Sequence, residues 1–587
     1  MKFAGGYMIV ECKTFSVLGV LVLLGLVTAV SARDWPQWGG TPARNMSSGE
    51  RGIPASFVPG KKGSDGSGID LRTTQNVKWT VMLGNETYST PAIAGGKVFI
   101  GTSDTKLTDR RFEQTGGGLL LCLDEATGRL LWQLVVPRLT TGRKSTDFDA
   151  MELGICSSPA VDGDRVYVVT NRNEVLCLDA NGMANGNDGP FLDERHYEVP
   201  AGHPPVEPGP HDADIIWRLD MSALPVFPHD AAASSVLVFG DVLFVGTGNG
   251  VDNKKHPLPA APSLIALDKK TGRLLATDNE QIGARVFHGQ WSSASLGWVG
   301  NRPLVFYGAG DGVCYAFDAV TATAERSGFL HKIWSYDCTA PYRVGEHGKA
   351  IDYWSGDRRE GRGNLDDGRF MSPCEIIGTP VFYKNRIYVA IGEDPQHGRG
   401  RGLLTCIDAT KTGDITSRGK IWSYDQIDRS LSSVSIADGL VYAADMPGRV
   451  HCLDAETGQC YWVHDCHSDI WTSTLVVDGK VFVGTRKGLC VLAAGRYPKA
   501  LATIHLGSAV RSMPVAANGT LYVASQRYLW AVEDLQRNHS STLAKTTSPA
   551  GRSGGHSSAL ATTTVPAGRS GGHLSTSPGP QSGKHSL

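Results

Sequence analysis

The feature that most constrains the fold is a tight turn followed by a short apolar strand, which recurs eight times along the chain. Clear copies are Ala94-Gly-Gly-Lys-Val-Phe99 and Asp478-Gly-Lys-Val-Phe482. Such turns between β-branched and aromatic residues are strong signals for β-hairpins. The aromatic residues of the eight copies are Phe99, Tyr167, Phe244, Phe306, Tyr388, Tyr442, Phe482 and Tyr522. The last three are spaced by one four-stranded propeller blade, which takes about 40 to 45 residues.

The repeats continue into a second signature of spaced Asp, Thr-Gly and Trp residues. Cys122-Leu-Asp-Glu-Ala-Thr-Gly-Arg-Leu-Leu-Trp132 returns as Cys452-Leu-Asp-Ala-Glu-Thr-Gly-Gln-Cys-Tyr-Trp462. In a strand-turn-strand unit, the Asp side chain can hold the turn, the Gly supplies positive φ and the Trp supplies buried area. The signature therefore predicts two further strands in each repeat.

Two incomplete copies of the repeat, one near each end of the chain, indicate the overall architecture. The segment Val77-Lys-Trp79-Thr-Val-Met-Leu83 is typical of a final blade strand, but no hairpin precedes it. Residues 512–533 are typical of the first three strands of a blade, but no final strand follows. We therefore predict an all-β fold, an eight-bladed β-propeller of four-stranded antiparallel blades whose ring is closed by the N-terminal strand. Such closure would remove exposed strand edges.

The pattern A-x-D-x-x-T-G-x-x-x-W resembles the repeat of the pyrroloquinoline-quinone-type, or quinoprotein-like, β-propellers. Residues 122–132 and 452–462 match it with Cys for the first Ala, and residues 266–276, 316–322 and 406–413 match it in part. This family includes secreted quinoprotein alcohol and glucose dehydrogenases and a non-catalytic scaffold subunit of the outer-membrane barrel-assembly machinery. The resemblance covers about residues 77 to 535 and implies the fold, whereas function depends on individual sites.

The resemblance leaves two functions open. Its dehydrogenases typically carry a disulfide between adjacent cysteines over the cofactor, but this chain has no Cys-Cys pair and no C-x-x-C-H haem motif. We therefore expect a scaffold or ligand-binding propeller rather than an enzyme, and we assign it no cofactor. The alternative is an alcohol or sugar dehydrogenase dependent on pyrroloquinoline quinone (PQQ) and calcium, in which Asp230 and Glu375 would supply the carboxylates.

The two ends of the chain differ from the repeats in composition. Residues 1–32 contain an apolar stretch shorter than the about 20 residues of a membrane span and are typical of a signal peptide. Residues 33–76 are predicted to form an N-terminal extension that packs on the propeller of residues 77–535. Residues 536–587 are rich in Ser, Thr, Gly and Pro, which predicts a disordered tail. We expect export to the periplasm or the cell exterior, with no transmembrane segment after signal removal.

The net charge of the chain indicates which class of partner it can bind. The 57 Lys and Arg residues nearly balance the 58 Asp and Glu residues, so the formal net charge is −1. The chain therefore lacks the basic excess that is typical of nucleic-acid-binding proteins. We expect a monomeric propeller that binds a protein or carbohydrate partner in the cell envelope, and no nucleic acid.

The sequence contains 12 cysteines, and in an exported chain these raise the prospect of disulfides. Many share one position, two residues before the repeat Asp, where Cys alternates with Ala. This alternation predicts a small buried residue between blades. The predicted slot residues are Cys122, Cys177, Ala266, Ala316, Cys406, Cys452, Cys490 and Ala531. Five cysteines outside the slot, whose pairing stays open, are Cys156, Cys338, Cys374, Cys460 and Cys466.

Two segments carry residue types that bind metal ions. Cys460, His464, Cys466 and His467 are zinc-ligand types, but they lack a C-x-x-C spacing. Residues 185–194 carry several side-chain oxygens that could bind calcium, and a polar turn is the alternative. We assign a metal to neither segment.

The longest insertions fall mainly on one predicted face of the propeller. Binding residues concentrate in loops on a rigid scaffold, so we predict that the channel mouth on this face binds a ligand. The candidate ligand-binding residues, each just before an innermost strand, are Glu152, His229, Asp230, His288, Gln290, Trp291, Glu375, Arg429, Asp469, Trp471 and Arg511. Together they could stack on a planar ligand or position a sugar or peptide.

Overall fold

A computed structural model describes residues 33–64, 68–139, 149–251, 258–319, 325–342, 372–393 and 400–534. Within these residues, eight sheets each contain four antiparallel strands. The first strands of several neighbouring sheets contact one another, and the sheets surround a common axis as the blades of a propeller. The predicted eight-bladed β-propeller is confirmed. The predicted signal peptide, residues 1–32, and the predicted tail, residues 536–587, lie outside the described residues.

Blades 1 to 4 are defined by their four strands, from innermost to outermost. Blade 1 contains Ala92–Ala94, Lys97–Ser103, Gly118–Asp124 and Leu130–Val136. Blade 2 contains Ala160–Asp162, Arg165–Val169, Glu174–Asp179 and Ile215–Asp220. Blade 3 contains Leu237–Phe239, Val242–Gly246, Leu264–Asp268 and Leu274–Thr277. Blade 4 contains Ser295–Val299, Arg302–Gly308, Val313–Asp318 and Lys332–Asp337.

Blades 5 to 8 follow in chain order except for one strand. Blade 5 contains Val381–Tyr383, Arg386–Glu393, Gly402–Asp408 and Lys420–Tyr424. Blade 6 contains Ser435–Ala437, Leu440–Ala444, Arg449–Asp454 and Cys460–Asp465. Blade 7 contains Thr474–Val477, Lys480–Thr485, Gly488–Ala493 and Ala500–His505. Blade 8 contains Val515–Ala517, Thr520–Ala524, Tyr528–Val532 and, as its outermost strand, Val77–Met82.

Short elements join or connect the blades. The strands Ser47–Ser48, Gly413–Asp414 and Cys374–Glu375 pair with blades 7, 4 and 5, and Lys61–Lys62 pairs with Ile69–Asp70. One α-helical turn spans Glu194–Tyr197. The 3-10 turns include Leu71–Thr73, Asp104–Lys106, Gly182–Asn185, Met221–Ala223, Ile282–Ala284 and Ala340–Tyr342. Along the described part of the chain, no helix has both the length and the apolarity needed to cross a membrane.

The repeated residues lie side by side within each blade. In blade 8, Tyr522 pairs with Ala531, and Ala531 pairs with Trp79 of the strand Val77–Met82. The register shifts immediately after the slot residue in all eight blades. A β-bulge at this point increases the local twist of the outer strands. The repeat therefore specifies both the pairing and the curvature of a blade.

The predicted slot residues are buried, but the assignment in blade 7 was wrong. Val491 lies opposite Phe482, whereas Cys490 lies opposite Val483 and Thr503. Blade 7 has no repeat Asp from which to count, and a shift of one residue moves a side chain to the other face of a strand. The 11 cysteines in the described residues are all free thiols.

The outermost Trp residues connect neighbouring blades. Trp132 of blade 1 donates its Nε1–H to Ala180 O of blade 2 at 3.0 Å. Trp79 of blade 8 donates in the same way to Glu125 O of blade 1 at 3.0 Å. Equivalent bonds are made by Trp217, Trp334, Trp422 and Trp462. A large apolar ring and a satisfied N–H donor thus stabilise these contacts between blades.

A hydroxyl ring, formed by Ser and Thr residues just before the innermost strands, connects the blades near the axis. A backbone N–H of one blade donates to the hydroxyl of the next. The bonds run from Thr90 N to Ser158 Oγ, Ser158 N to Ser235 Oγ, Ser235 N to Ser293 Oγ, Thr379 N to Ser433 Oγ, Ser433 N to Ser473 Oγ and Met513 N to Thr90 Oγ1. The last of these bonds joins blade 8 to blade 1.

The N-terminal segment, residues 35–48, crosses the axis and contacts every blade. Its hydrogen-bonded pairs, in blade order, are Trp35 with Ile93, Pro36 with Val161, Arg44 with Val236, Pro42 with Leu296, Ala43 with Phe382, Asn45 with Ile436, Met46 with Val476 and Ser48 with Ala516. These partners lie in or next to the innermost strands. The segment therefore satisfies backbone groups that would otherwise face the channel.

Arg44 anchors the N-terminal segment in the protein interior. Its side chain is fully buried and donates to the carbonyls of Val236, Ala294 and Trp38 and to the side chain of Gln37. Burial lowers the pKa of Arg44 to about 9. Because Val236 and Ala294 belong to blades 3 and 4, this one side chain stabilises two blades and the segment together.

Candidate functional site

A cavity of about 410 Å³ opens where the innermost strands begin. Its wall includes members of the hydroxyl ring, among them Ser158, Thr379 and Ser433. Trp38 of the N-terminal segment also lines the cavity and donates its Nε1–H to Thr379 Oγ1 at 3.1 Å. The N-terminal segment and the hydroxyl ring thus form one wall of a pocket large enough for a small ligand or an inserted side chain.

Several predicted binding residues meet at this cavity. Those that line it are Asp230, His288, Trp291, Trp471 and Arg511. Each lies just before an innermost strand, and these strand ends converge on the axis. Glu152 lies beside the cavity, in a small pocket that shares Asp230, and pairs with Arg138 at 2.8 Å. The structure therefore brings residues from five blades to one mouth.

Other predicted binding residues do not line the cavity: they are His229, Gln290, Glu375, Arg429 and Asp469. Gln290 is buried and donates to Asn249 O and Ser263 Oγ, both at 2.8 Å. Asp469 is half exposed and lies 3.7 Å from Arg486. Successive side chains in extended backbone point to opposite sides, so only some of the residues before a strand can face the axis.

Arg511 lies between two aromatic rings in the cavity wall. Its guanidinium carbon is 4.2 Å from the ring centre of Trp471 and 5.6 Å from that of Tyr88. Its Nε and Nη1 atoms are buried and have no hydrogen-bond partner among the described residues. Cation–π contacts orient a guanidinium without using its N–H donors. Arg511 therefore holds two buried N–H donors beside the cavity without an acceptor among the described residues.

Burial raises the pKa of two side chains near Arg511. Burial raises the pKa of Tyr88 to about 12, although the Arg511 charge acts in the opposite direction. Burial also raises the pKa of Glu86, whose carboxylate accepts a hydrogen bond from Gln526. At neutral pH, the Tyr88 side chain in the cavity wall is therefore a neutral phenol.

His229 and His288 come from neighbouring blades and meet at Asp230. The two imidazole rings are buried, and their centres lie 4.3 Å apart in an edge-to-face arrangement. Their Nε2 atoms lie 3.6 and 3.9 Å from the two carboxylate oxygens of Asp230. These distances are longer than hydrogen bonds, but two imidazoles and a carboxylate are groups that bind transition-metal ions. The sequence predicted all three residues but not their mutual contact.

The Cys/His cluster considered for zinc has a different membership in the structure. His464, Cys466 and Cys490 each place one potential ligand atom within 4.8 Å of the others. Cys490 was predicted as a slot residue of blade 7. Cys460 and His467 lie outside this group, and His467 instead pairs with Asp465 at 3.2 Å. The packing of the outer strands of blades 6 and 7 thus determines which of these residues meet. Their spacing along the chain did not indicate this grouping.

The segment considered for calcium, residues 185–194, contributes one carboxylate to an acidic group. Asp188 lies near Asp179 and Asp214, with one oxygen of each within 4.8 Å of the others. Asp179 also pairs with Arg165 at 2.8 Å. The oxygen-rich loop therefore packs against the end of a blade 2 strand, and we assign no metal to it.

Trp38, Tyr88 and the hydroxyl ring were not predicted from the sequence as parts of the site. A signal for the ring was present, because pairs of hydroxyl residues recur before the innermost strands, as in Ser157-Ser158, Ser234-Ser235, Ser292-Ser293 and Ser432-Ser433. No comparable signal marks Trp38, which precedes the repeats. Its contact with Thr379 joins residues separated by 341 positions.

The alternative quinone site needs Asp230 and Glu375 beside the same cofactor. Asp230 lines the cavity, whereas Glu375 does not. Glu375 is fully buried in the short strand Cys374–Glu375, where it pairs with Gly392. The structure does not bring these two carboxylates to one cavity wall, so the residues assigned to that role do not fit a calcium-held quinone.

Comparison with known proteins relates this fold to solved structures. The chain is similar to BamB from Moraxella catarrhalis, with 13% identity and a TM-score of 0.45 over 78% of this chain and 97% of that one. It is also similar to quinohemoprotein alcohol dehydrogenase ADHIIG from Pseudomonas putida HK5, with 14% identity and a TM-score of 0.44 over 79% of this chain and 76% of that one. No curated protein matches the chain. At these identities, the likeness concerns the fold and not an activity.

The comparison with protein families gives a more specific result than the comparison with individual structures. The model described as outer membrane protein assembly factor BamB matches residues 109–333 and 377–496, which is more than half of the chain. The matched ranges include strands of blades 1 to 7 and both copies of the Asp, Thr-Gly and Trp signature. The chain therefore belongs to the family of outer membrane protein assembly factor BamB.

Proposed function

We propose that the protein is exported and acts as a propeller scaffold that binds an acidic group of an envelope partner protein in the cavity. The observation that carries the proposal is Arg511, whose Nε and Nη1 atoms are buried without hydrogen-bond partners in the described residues. Family membership supports an envelope role, since the matched model is described as an outer membrane assembly factor. Residues 1–32, which are typical of a signal peptide, support export.

The chemistry of the cavity favours a carboxylate as the bound group. A buried donor without an acceptor costs free energy, and a hydrogen bond to a charged group contributes about 1.5 to 3 kcal/mol. A planar guanidinium matches a carboxylate through two parallel hydrogen bonds. Trp and Arg also contribute much of the binding energy at protein interfaces. We therefore expect an Asp, Glu or C-terminal carboxylate of the partner to bind Arg511 beside Trp471 and Tyr88.

Peptide binding tests this function directly. Protein recovered from the periplasm, with its N-terminus expected at residue 33, is titrated with fluorescent Glu-containing peptides and with matched Gln peptides. We expect the Glu peptides to bind more tightly, and Arg511→Gln to weaken them at least about tenfold. Arg496→Gln is the matched control, because Arg496 also stacks on an aromatic ring, 5.0 Å from the centre of Tyr461, but does not line the cavity.

Two results would contradict the proposal. The first is equal affinity for Glu and Gln peptides, which would remove the role of the charge. The second is binding of a neutral oligosaccharide that is lost in Trp471→Ala and retained in Arg511→Gln, which would assign the cavity to a carbohydrate. Circular dichroism of each variant checks that the propeller remains folded.

A further inference from the structure

We propose that His229, Asp230 and His288 bind a divalent transition-metal ion at the wall of the cavity. His229 and Asp230 precede the innermost strand of blade 3, and His288 precedes that of blade 4. One potential ligand atom from each residue lies within 4.8 Å of the others. Two blades therefore supply a compact set of two imidazoles and one carboxylate.

The distances are close to those of a metal site. The His229 and His288 Nε2 atoms lie 3.6 and 3.9 Å from the Asp230 oxygens. Ligands about 2.0 to 2.2 Å from a zinc ion are separated by about 3 to 3.5 Å. The 3.6 and 3.9 Å distances end at different carboxylate oxygens, and one potential ligand atom of each residue lies within 4.8 Å of the others. The three side chains would therefore have to move closer together to bind one ion. The carboxylate would also offset part of the charge that the ion brings.

A neighbouring loop orients the His229 imidazole and holds the backbone at His288. His229 Nδ1 lies 3.1 Å from Val251 O, the arrangement in which Nδ1–H donates to the carbonyl and Nε2 is left as the ligand atom. Val251 N donates to His288 O at 3.0 Å, so one residue contacts both histidines. At Gly250, an added Cβ would lie 2.7 Å from His229 Cβ and 2.5 Å from His288 O. This close packing limits the movement of the two ligand-bearing loops.

The surroundings favour a transition metal over calcium or magnesium. Imidazole ligands suit zinc, iron, nickel and copper, whereas calcium and magnesium prefer sites built from oxygen. His229 and His288 are buried, while Asp230 is 22% exposed in its side chain and lines the cavity. A bound ion would therefore have three protein ligands and at least one coordination position open to the cavity, as in ligand-accessible zinc sites.

Metal titration tests the site without assuming an activity. The full chain is treated with EDTA, dialysed and titrated with Zn²⁺ by calorimetry and with Co²⁺ by visible absorption. We expect one Zn²⁺ per chain at this site and cobalt bands in the visible range. Asp230→Asn and His288→Gln should each weaken binding at least about tenfold. Asp230→Asn is the milder variant, since its side chain is partly exposed.

Two control variants locate the binding. His331→Gln alters another His–Asp pair, in which His331 lies 3.5 Å from Asp318 on the surface, and should leave binding unchanged. Cys466→Ser alters the competing His464, Cys466 and Cys490 group and should leave the cobalt bands at the proposed site unchanged. The proposal is overturned if Asp230→Asn and His288→Gln bind as the unaltered protein does, or if Cys466→Ser abolishes binding. Arg511→Gln should retain the metal, so this result is distinct from a failure of peptide binding.

Discussion

Individual Asp residues in this propeller affect stability in opposite ways. Some accept hydrogen bonds that hold a turn, and others are buried where the charged carboxylate is unfavourable. Asp124 accepts hydrogen bonds from the N–H and hydroxyl of Thr127 at 2.9 and 2.6 Å. These bonds lower the pKa of Asp124. Asp214 is fully buried instead, and desolvation together with the charges of nearby carboxylates raises its pKa to about 6. The same residue type therefore stabilises the fold at one position and costs free energy at the other.

Asp214→Asn is expected to stabilise the protein at neutral pH. An unfolded Asp titrates near about 3.9, so between that pH and about 6 the folded state of Asp214 binds more protons than the unfolded state. The free energy of unfolding therefore falls as the pH rises through this window. The Asn variant avoids this loss and should gain about 1 kcal/mol at pH 7.5, but nothing at pH 4.

Thermal unfolding in EDTA at the two pH values measures this effect. A gain of a few degrees in Tm at pH 7.5 that is absent at pH 4 is the expected outcome. Equal shifts at both values would contradict it. A calcium-dependent rise in Tm that Asp214→Asn abolishes would instead assign the acidic group of Asp179, Asp188 and Asp214 to a cation.

At the scale of the strand and its turn, the Thr-Gly and Trp residues of the repeat meet across two blades. Gly458 of blade 6 has φ +73°, and an added Cβ would lie 2.6 Å from the Trp422 ring of blade 5. Gly128 of blade 1 is packed in the same way under Trp79 of blade 8. The glycine is therefore required both by the left-handed backbone and by the ring that covers it.

Gly458→Ala and Gly479→Ala separate these two requirements. Gly479 has nearly the same conformation, with φ +70°, but no heavy atom lies within 4 Å of the position that an added Cβ would take. Gly479→Ala should therefore lose only the roughly 1 to 2 kcal/mol of a left-handed alanine. Gly458→Ala should lose about 1 to 3 kcal/mol more, because the Trp422 ring must move. Urea unfolding measures both losses, and equal losses would show that packing under Trp422 adds nothing.

At the scale of the whole molecule, the N-terminal segment links the eight blades and completes the cavity. Trp35 contacts Ile93 of blade 1, and Ser48 donates to Ala516 O of blade 8. Between them, the fully buried Arg44 bonds to blades 3 and 4 and to the backbone of Trp38. Damage to this segment should therefore affect both the stability of the propeller and the cavity wall.

Arg44→Met is expected to lower the free energy of unfolding by about 3 kcal/mol or more, because buried carbonyls lose their donor. Arg51→Met is the control, since Arg51 is exposed and only 3.8 Å from Asp478 at the surface, where an ion pair contributes at most about 1 kcal/mol. Urea unfolding gives the two values. Trp fluorescence of the folded Arg44→Met variant should also shift, because Trp38 loses a neighbour. An Arg44→Met variant as stable as Arg51→Met would contradict this role.

The candidate site could be predicted only in part. Trp471 and Arg511 were predictable because position before an innermost strand places a residue near the axis. Glu375 satisfies the same rule but lies off the cavity wall. Position before an innermost strand indicates that a residue lies near the channel mouth. It does not indicate where the side chain points, because side chains alternate between opposite sides of an extended backbone. Tyr88, which lines the cavity and contacts Arg511, was not among the predicted residues.

The amino-acid sequence alone determined the repeat, the strand order within a blade and the number of blades, because local periodicity and turn chemistry specify these. The tertiary structure decided how Arg511 lies between Trp471 and Tyr88, how His229 meets His288, and how Trp38 reaches the cavity. These contacts join neighbouring blades, or join the N-terminal segment to a blade. Their geometry depends on how whole blades pack, and a pattern within one repeat carries no information about that packing.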